Sequence, residues 1–511
     1  MITSSAVADR AAAPERRSWL PEAAAVVVAF LLYGVSTALI SLTDSTIPGY
    51  LVLVAVAVIS ALLALWRIRV FLVFWLALAC FQGAAVGLWL AVFGGGAGLE
   101  VTEMKTAAAL GMVVVTAPAI WRYLLPRRAL LIAVVLFVLS VMVSLRAFIP
   151  ATLAYGRNFL LPVLLMIALV AAFERVPAAE RLRLAFRLSG ALSAFLLLGS
   201  VIETAVGTTA WRSFFHAEDI GALSSLSTTT YVLGVEVGRV GGFILEPVNA
   251  GYMAAGLAVC LLAAADRLSR RERLWCAAAL VADGVVILAA SAKNGLLMIL
   301  AFIFAALLLK LIRGGWRALV TPLTWLVSFL AVVSYIVLLR GLSALPVLFT
   351  DPAKLIGGDS TTVHMTGLIE GVSRAISHPL GFGLGNGGNL SQNLPNPGAF
   401  AEEPGWLESG GESGIGAMAF QIGIVGAVLF LYLLVRMGNA WGVRSIALLA
   451  AWSASSLIAE SMFGPQVASV FIIGIVLLAD QPEGPWLGRG RLAHAEGRRD
   501  RPVEVPADSS I

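Results

Sequence analysis

Arg239, Lys293 and Glu412 each stand at the edge of a long apolar block, and their types are those that chemistry on a phosphate-bearing substrate needs. Arg239 opens the run "RVGGFILEPVNAG" as a permanent cation whose planar fork bonds two phosphate oxygens at once. Lys293 lies in the tight turn "SAKNG", and the two cations together suit a diphosphate. Glu412 lies in "GESGIGAMAFQIGIVG", where a carboxylate can accept the proton of an attacking hydroxyl. Plainer roles are open at the same positions. These are an interfacial anchor for Arg239, a snorkelling chain for Lys293, and for Glu412 a helix-dipole partner contributing about 0.3–1 kcal/mol.

A second set lies between Ser360 and Pro379. Ser360 is a good N-cap and Pro379 stops a helix. At roughly 100° per residue, Met365, Leu368, Ile369, Val372 and Ile376 share one apolar arc. His364, Glu370, Arg374 and His378 fall on the opposite arc, with Val363 as the exception. The spacing predicts an amphipathic helix at the outer surface, its polar face toward a cleft or water. His364 or His378 is an alternative base to Glu412, and Arg374 a third cation for the diphosphate. A solvated face with an i, i+4 ion pair is the plainer account. The glycine-rich run "GFGLGNGGN" that follows permits tight turns and close backbone approach. It does not follow a strand, so it implies no dinucleotide fold.

What must position these residues is a membrane bundle. Hydrophobic residues make up 59% of the 511 positions and charged residues 13%, against roughly 25% charged in an average soluble domain. The apolar residues arrive in blocks long enough to cross a bilayer core of roughly 30 Å. Spanning helices are expected near 21–42, 48–66, 70–93, 104–125, 129–149, 158–173, 187–206, 247–265, 274–290, 295–311, 319–339, 413–435, 444–460 and 464–480. The expected fold is thus an all-α polytopic membrane protein with about fourteen spans. Most of the 35 Lys and Arg then lie on one side, which by the positive-inside rule puts both termini in the cytoplasm. The first block is too long for a signal-peptide core and reads as the first span.

The chain divides into a cytoplasmic tail (1–20), seven N-terminal spans (21–206), a region carrying the motifs (207–480) and a basic, disordered cytoplasmic tail (481–511). Two outer connections are long, about 207–246 and 341–412, the second lying before the twelfth span. The latter carries only Lys354 and Arg374 against seven acids, so its few cations stand out. Cys80, Cys260 and Cys276 all fall in apolar blocks, as small core residues rather than a disulfide or metal framework. No nucleic-acid module is present in the sequence, and the basic tail suits anionic headgroups of the lipid bilayer.

The order of the motifs resembles a known family. Arg-x-Gly-Gly-Phe…Pro-x-Asn-x-x-Gly enters a helix, a Ser-x-Lys turn follows, then an outer loop with "HPLGFGLG" and a helix with "QIGIVG". This is similar to the O-antigen ligase and Wzy-type polysaccharide polymerase superfamily, over about Arg239 to Phe430. The resemblance implies a C-type glycosyltransferase on the outer face of the bacterial inner membrane, inverting and metal-independent, with no cofactor. Its partners would be an undecaprenyl-diphosphate-linked glycan donor and a glycan acceptor, and the resemblance leaves room for a chain-length regulator. Arg239 matches the arginine before the Pro-Asn helix entry. Lys293 departs from the arginine of many members, giving a point charge in place of a fork. Glu412 stands where many ligases have a catalytic histidine, which leans the reading toward an exopolysaccharide polymerase.

Two rivals stay open on the sequence. A transporter or lipid-linked-oligosaccharide flippase predicts similar halves and ionisable residues near the midplane. A metal-using transferase acting on polyprenyl-monophosphate sugars predicts paired acids in the first outer loop, where Thr43 to Gly49 holds only Asp44.

Overall fold

A backbone inside hydrocarbon must satisfy its own hydrogen bonds, so apolar runs of spanning length become helices. The computed structural model describes residues 19–43, 47–94, 99–144, 149–174, 176–220, 229–232, 235–314, 359–388 and 412–479, with isolated helical positions between 323 and 330. The helices are α1 (Leu20–Thr43), α2 (Ile47–Trp66), α3 (Ile68–Cys80), α4 (Gln82–Phe93), α5 (Leu99–Thr102), α6 (Met104–Leu124), α7 (Arg128–Val143), α8 (Ile149–Phe173), α9 (Ala178–Val206) and α10 (Thr208–Phe214). The series continues with α11 (Pro247–Ala264), α12 (Arg270–Ala289), α13 (Lys293–Gly314), α14 (Asp359–Ser377), α15 (Gly414–Trp441), α16 (Val443–Ser456) and α17 (Pro465–Leu478).

Among the described residues, eight helices are long and apolar enough to cross a membrane: α1, α2, α6, α8, α9, α11, α13 and α15. The pair α3–α4, bent by 64°, has the length and composition of a ninth if its two halves are counted as one broken span. Helices α7, α12, α16 and α17 occupy further expected blocks but are shorter or open on charge, as α12 does at Arg270. The expected span at 319–339, the tails and Asp44 and Lys354 lie outside the described residues, but for those isolated helical positions.

Local chemistry sets the helix starts. Pro247 and Pro465 sit in the first turns of α11 and α17, where their missing N–H costs nothing. Ser269 and Glu272 form a reciprocal capping box at α12. Helix α11 is buried along nearly its whole length, as are α3 and α17, and α17 packs directly against it. Leu51, Val114, Trp275 and Phe304 point outward from α2, α6, α12 and α13, where lipid would cover them. All three cysteines are free and buried.

Two expectations are corrected. The block 70–93 is not one straight helix: it breaks at Phe81, and a Cβ on Gly83 would collide with the Ile244 carbonyl oxygen. The bend and the bare glycine let the turn at 242–244 pack directly on the helix. The expected helical fold holds among the described residues, with one short hairpin added. Thr229–Val232 pairs antiparallel with Val235–Gly238 inside the long connection between α10 and α11, where threonine and valine favour extended backbone.

The second correction concerns α14. Its buried stripe is Gly367, Gly371 and Ala375, while Ile369 and Ile376 of the expected apolar arc are exposed. Gly371 packs on Gly416 of α15, too close for any side chain. Where helices meet in an apolar solvent, small size decides the contact face over hydrophobicity.

Helix α15 is itself interrupted at Gly423, whose φ of 76° no L side chain adopts readily. The glycine-rich run repairs the break. The backbone N–H groups of Phe382 and Gly383 donate to the carbonyls of Phe420 and Gln421, both at 2.9 Å, and Val425 N–H donates to Pro379 at 3.3 Å. The buried Gln421 side chain completes the repair, accepting from Gly385 N–H at 2.9 Å and donating to the Gly387 carbonyl at 2.8 Å.

Candidate functional site

Arg239 is held by a turn that several elements define together. Its Nε donates to the Ala290 carbonyl at 3.2 Å, and Val240 N–H donates to Ala289 at 3.0 Å, tying the turn to the end of α12. From α9, the Glu203 carboxylate accepts from Gly241 N–H at 2.9 Å and Gly242 N–H at 2.5 Å. From α10, Trp211 donates to the Gly242 carbonyl at 2.9 Å and Arg212 to the Leu245 carbonyl at 3.1 Å. Gly242 and Leu245 take left-handed backbone (φ 58° and 64°) to make the turn. With Nε committed, the two terminal nitrogens of Arg239 make no hydrogen bond to any described residue. Burial draws the Arg239 guanidinium below its ordinary range, and Tyr252, Glu246 and Glu412 oppose that shift electrostatically.

Lys293 is exposed at the start of α13 and within electrostatic reach of Arg239. The turn before it places Ser291 in left-handed backbone (φ 52°). Asn294, the next residue, donates to the Ser455 carbonyl at 3.2 Å and pairs with Tyr252 of α11. The expected pair of cations is therefore brought together.

Glu412 joins the same cluster. Its Oε2 lies 3.1 Å from His364 Nδ1 of α14. Its backbone is fixed independently: Glu460 N–H donates to the Glu412 carbonyl at 2.7 Å. Ser413 caps α15 by accepting from Gly416 N–H at 3.0 Å, while its hydroxyl donates to the Leu457 carbonyl at 2.6 Å. So α14, α15 and the turn before α17 meet at the side chain read as a base.

Arg374 and His378 are not brought to this point. His378 lies fourteen residues beyond His364, about 21 Å along the helix direction, where its ring centroid is 4.1 Å from that of Phe382, the two rings tilted by 41°. Arg374 is part-buried on the same helix, about 15 Å beyond His364.

Several participants go unread in the sequence. Glu246 stands inside the quoted run, accepts from Asn249 Nδ2 and lies within electrostatic reach of Arg239 and of Lys105 from α6. Burial pushes the Glu246 carboxyl up to about 7, with Lys105, Arg239 and Asn249 acting against that rise. Asn249 also donates to Gln466 of α17 at 2.9 Å. Lys105 donates to Gln82 Oε1 at the α3–α4 bend and to the Thr102 carbonyl at 2.8 Å. Two signals were available: a carboxylate within the motif, and a lysine at the start of the fourth apolar block. Among the described residues, no three His, Cys, Asp or Glu side chains gather to hold a metal.

Beside the turn lies an apolar cavity of about 350 Å³, lined by Val26, Phe30, Phe81, Ala84, Phe195 and Phe243. Phe243 thus belongs both to the cavity wall and to the turn that carries Arg239.

No protein-family model matches the chain, and no curated protein matches it.

Proposed function

We propose that this chain is a polysaccharide polymerase or ligase of the Wzy and O-antigen ligase type. On this reading it crosses the bacterial inner membrane about fourteen times with both ends inside, and works on the extracytoplasmic face. The donor is an undecaprenyl-diphosphate-linked glycan and the acceptor a sugar hydroxyl. The acceptor oxygen attacks the anomeric carbon from the side opposite the diphosphate, and its proton passes to Glu412. The bond from the anomeric carbon to the diphosphate oxygen breaks, and the polyprenyl diphosphate leaves with that electron pair. Arg239 and Lys293 stabilise the charge that develops on the leaving group.

The observation that carries the reading is the convergence of Arg239, Lys293, His364 and Glu412 from four separate parts of the chain. A cavity walled by apolar side chains beside Arg239's turn suits a hydrocarbon tail. A second reading, transport of a lipid-linked oligosaccharide, draws on the break at Gly423 and the 64° bend between α3 and α4. Interrupted helices are common in transporters.

One reconstitution separates the two. Protein in vesicles is given an undecaprenyl-diphosphate-linked repeat unit, and product length is followed by gel and mass spectrometry with and without EDTA. Chain growth that resists EDTA and is lost in Glu412→Gln is the expected result. A lipid-linked unit that crosses the vesicle membrane unchanged would replace the transferase with a transporter.

A further inference from the structure

We infer that α14 and the glycine-rich run form a re-entrant hairpin, which enters the bilayer beside α15 and leaves on the side where it entered, and that lipid acyl chains cover the outward face of α14. The inference rests on α15 crossing a membrane and not on the chemistry proposed above.

The register of α14 against α15 shows the descent. Gly367 and Gly371 pack on Gly416, close to the start of α15, whereas Pro379 and Gly381 pack on Gly423. The contacts advance in the same sense along both chains, so α14 runs parallel to α15 and goes down with it. Gly423 lies nine residues from Gly414, about 13 Å along the axis. The 28 residues of α15 extend about 42 Å, against a hydrocarbon core of roughly 30 Å. With the excess divided evenly between its ends, the tip at Pro379 and Gly381 stands roughly 7 Å inside the hydrocarbon. The chain then climbs back. Leu384 N–H donates to the Ser144 carbonyl at the end of α7, at 2.8 Å. Gly388 lies against the side chains of Tyr155 and Glu460, and Glu460 N–H holds the carbonyl of Glu412, just before α15 begins. Entry and exit are therefore at the same end of α15.

The backbone of the run is prepared for that depth. Irregular backbone within a bilayer is tolerated only where protein encloses it and pairs its polar groups. The residues 382–385 are buried. Every N–H from Gly381 to Asn386 has an acceptor: the carbonyls of His378, Phe420, Gln421 and Ser144, the Gln421 side chain, and the Gly383 carbonyl. A loop in water has no need of this, because solvent pairs what the chain leaves open.

The outward face completes the argument. Ile369, Ile376 and Leu380 are exposed and share an arc of roughly 40°. The bond from Val425 N–H to the Pro379 carbonyl joins this stripe to α15, where Val425, Val428 and Val435 are exposed in turn. One apolar strip thus runs from α14 onto the lower half of a spanning helix, and the solvent that covers the second covers the first. Glu370 and Arg374 stand off the stripe and are part-buried. Ser377, beside it, donates its hydroxyl to the Arg374 carbonyl at 2.8 Å, the internal pairing that a hydroxyl facing lipid requires. His364 is at the head of this hairpin, so a helix seated in lipid presents its imidazole to Glu412.

The test places p-benzoylphenylalanine at Ile369, Ile376, Leu380 or Val428, one position at a time, in the full-length chain. The protein is reconstituted in vesicles of phosphatidylethanolamine and phosphatidylglycerol, irradiated, and weighed intact by mass spectrometry. The expected result is a mass shift of one phospholipid at all four positions. Lipid adducts at Val428 with none at the three α14 positions would place α14 in water and overturn the hairpin alone. Crosslinks from the α14 positions to another segment of the chain, or to a second copy, would overturn lipid as the cover. No lipid adduct at Val428 either would overturn the crossing by α15 on which the inference rests. The unmodified chain gives a second measurement, free of any effect of substitution on folding. An aryl diazirine dissolved in the lipid should label the peptide that carries Ile369, Ile376 and Leu380. Labelling of that peptide by a water-soluble diazirine instead overturns the inference.

Discussion

His364 Nδ1 of α14 lies 3.1 Å from Glu412 Oε2 at the cap of α15, so a helix packed by glycines delivers its imidazole to one particular carboxylate. Glu412 is thereby oriented from the side, while Glu460 N–H holds its carbonyl and the next residue, Ser413, caps α15.

Replacing Glu412 with Gln keeps the shape and removes the basicity. Turnover of a lipid-linked repeat unit should fall by about 10²–10⁴-fold, the usual contribution of a general base. His364→Gln should cost less, because it orients the carboxylate and does not accept the proton. Initial rates for the two variants at equal amounts of protein test the assignment. A Glu412→Gln rate equal to wild type removes Glu412 from the mechanism.

Arg239→Lys retains the charge and loses the fork, and Arg239→Ala loses both. Charged hydrogen bonds are worth about 1.5–3 kcal/mol each, so kcat/KM should fall more than tenfold in Arg239→Ala. Arg239→Lys should lie between that variant and wild type. Arg374→Ala, placed about 15 Å along α14 from His364, should leave kcat/KM within twofold of wild type.

Gly423→Ala places a side chain at positive φ and against the Pro379 carbonyl. A strained non-glycine residue costs about 1–3 kcal/mol, and the midpoint of thermal unfolding in detergent should fall. Gln421→Leu tests the same repair from the other side. It strands Gly385 N–H and the Gly387 carbonyl in a buried place, at about 1–3 kcal/mol for each unsatisfied group. An unchanged midpoint in both variants would mean that the glycine-rich run does not support α15.

The lengths and boundaries of helices α1, α2, α6 and α11 are legible in the sequence, because a run of apolar residues long enough to span leaves one low-energy choice of backbone. The corrections have a shared physical origin. The bend at Phe81 and the face of α14 depend on how closely another backbone approaches a glycine, and hydropathy carries no information about that distance. In the site, Arg239, Lys293 and Glu412 are legible because charge at the edge of an apolar block is costly and conspicuous. Lys105 is equally conspicuous, but its nearness to Glu246 is a property of folding, since α6 and the 239–246 turn are far apart in the chain. Glu246 escapes notice because a search for phosphate-binding groups looks for cations and passes over the carboxylate between them. His378 shows the opposite error: a helical projection puts it beside His364 and discards the rise along the axis.

The three thiols offer a practical consequence. Cys80, Cys260 and Cys276 are buried and unpaired, so a membrane-impermeant maleimide should leave the native chain unmodified while the fold persists. The natural sequence is therefore already a silent background for introduced reporters. A single cysteine at Ile369 or Ile376 would report which medium surrounds the outward face of α14 without any engineering of the rest of the molecule.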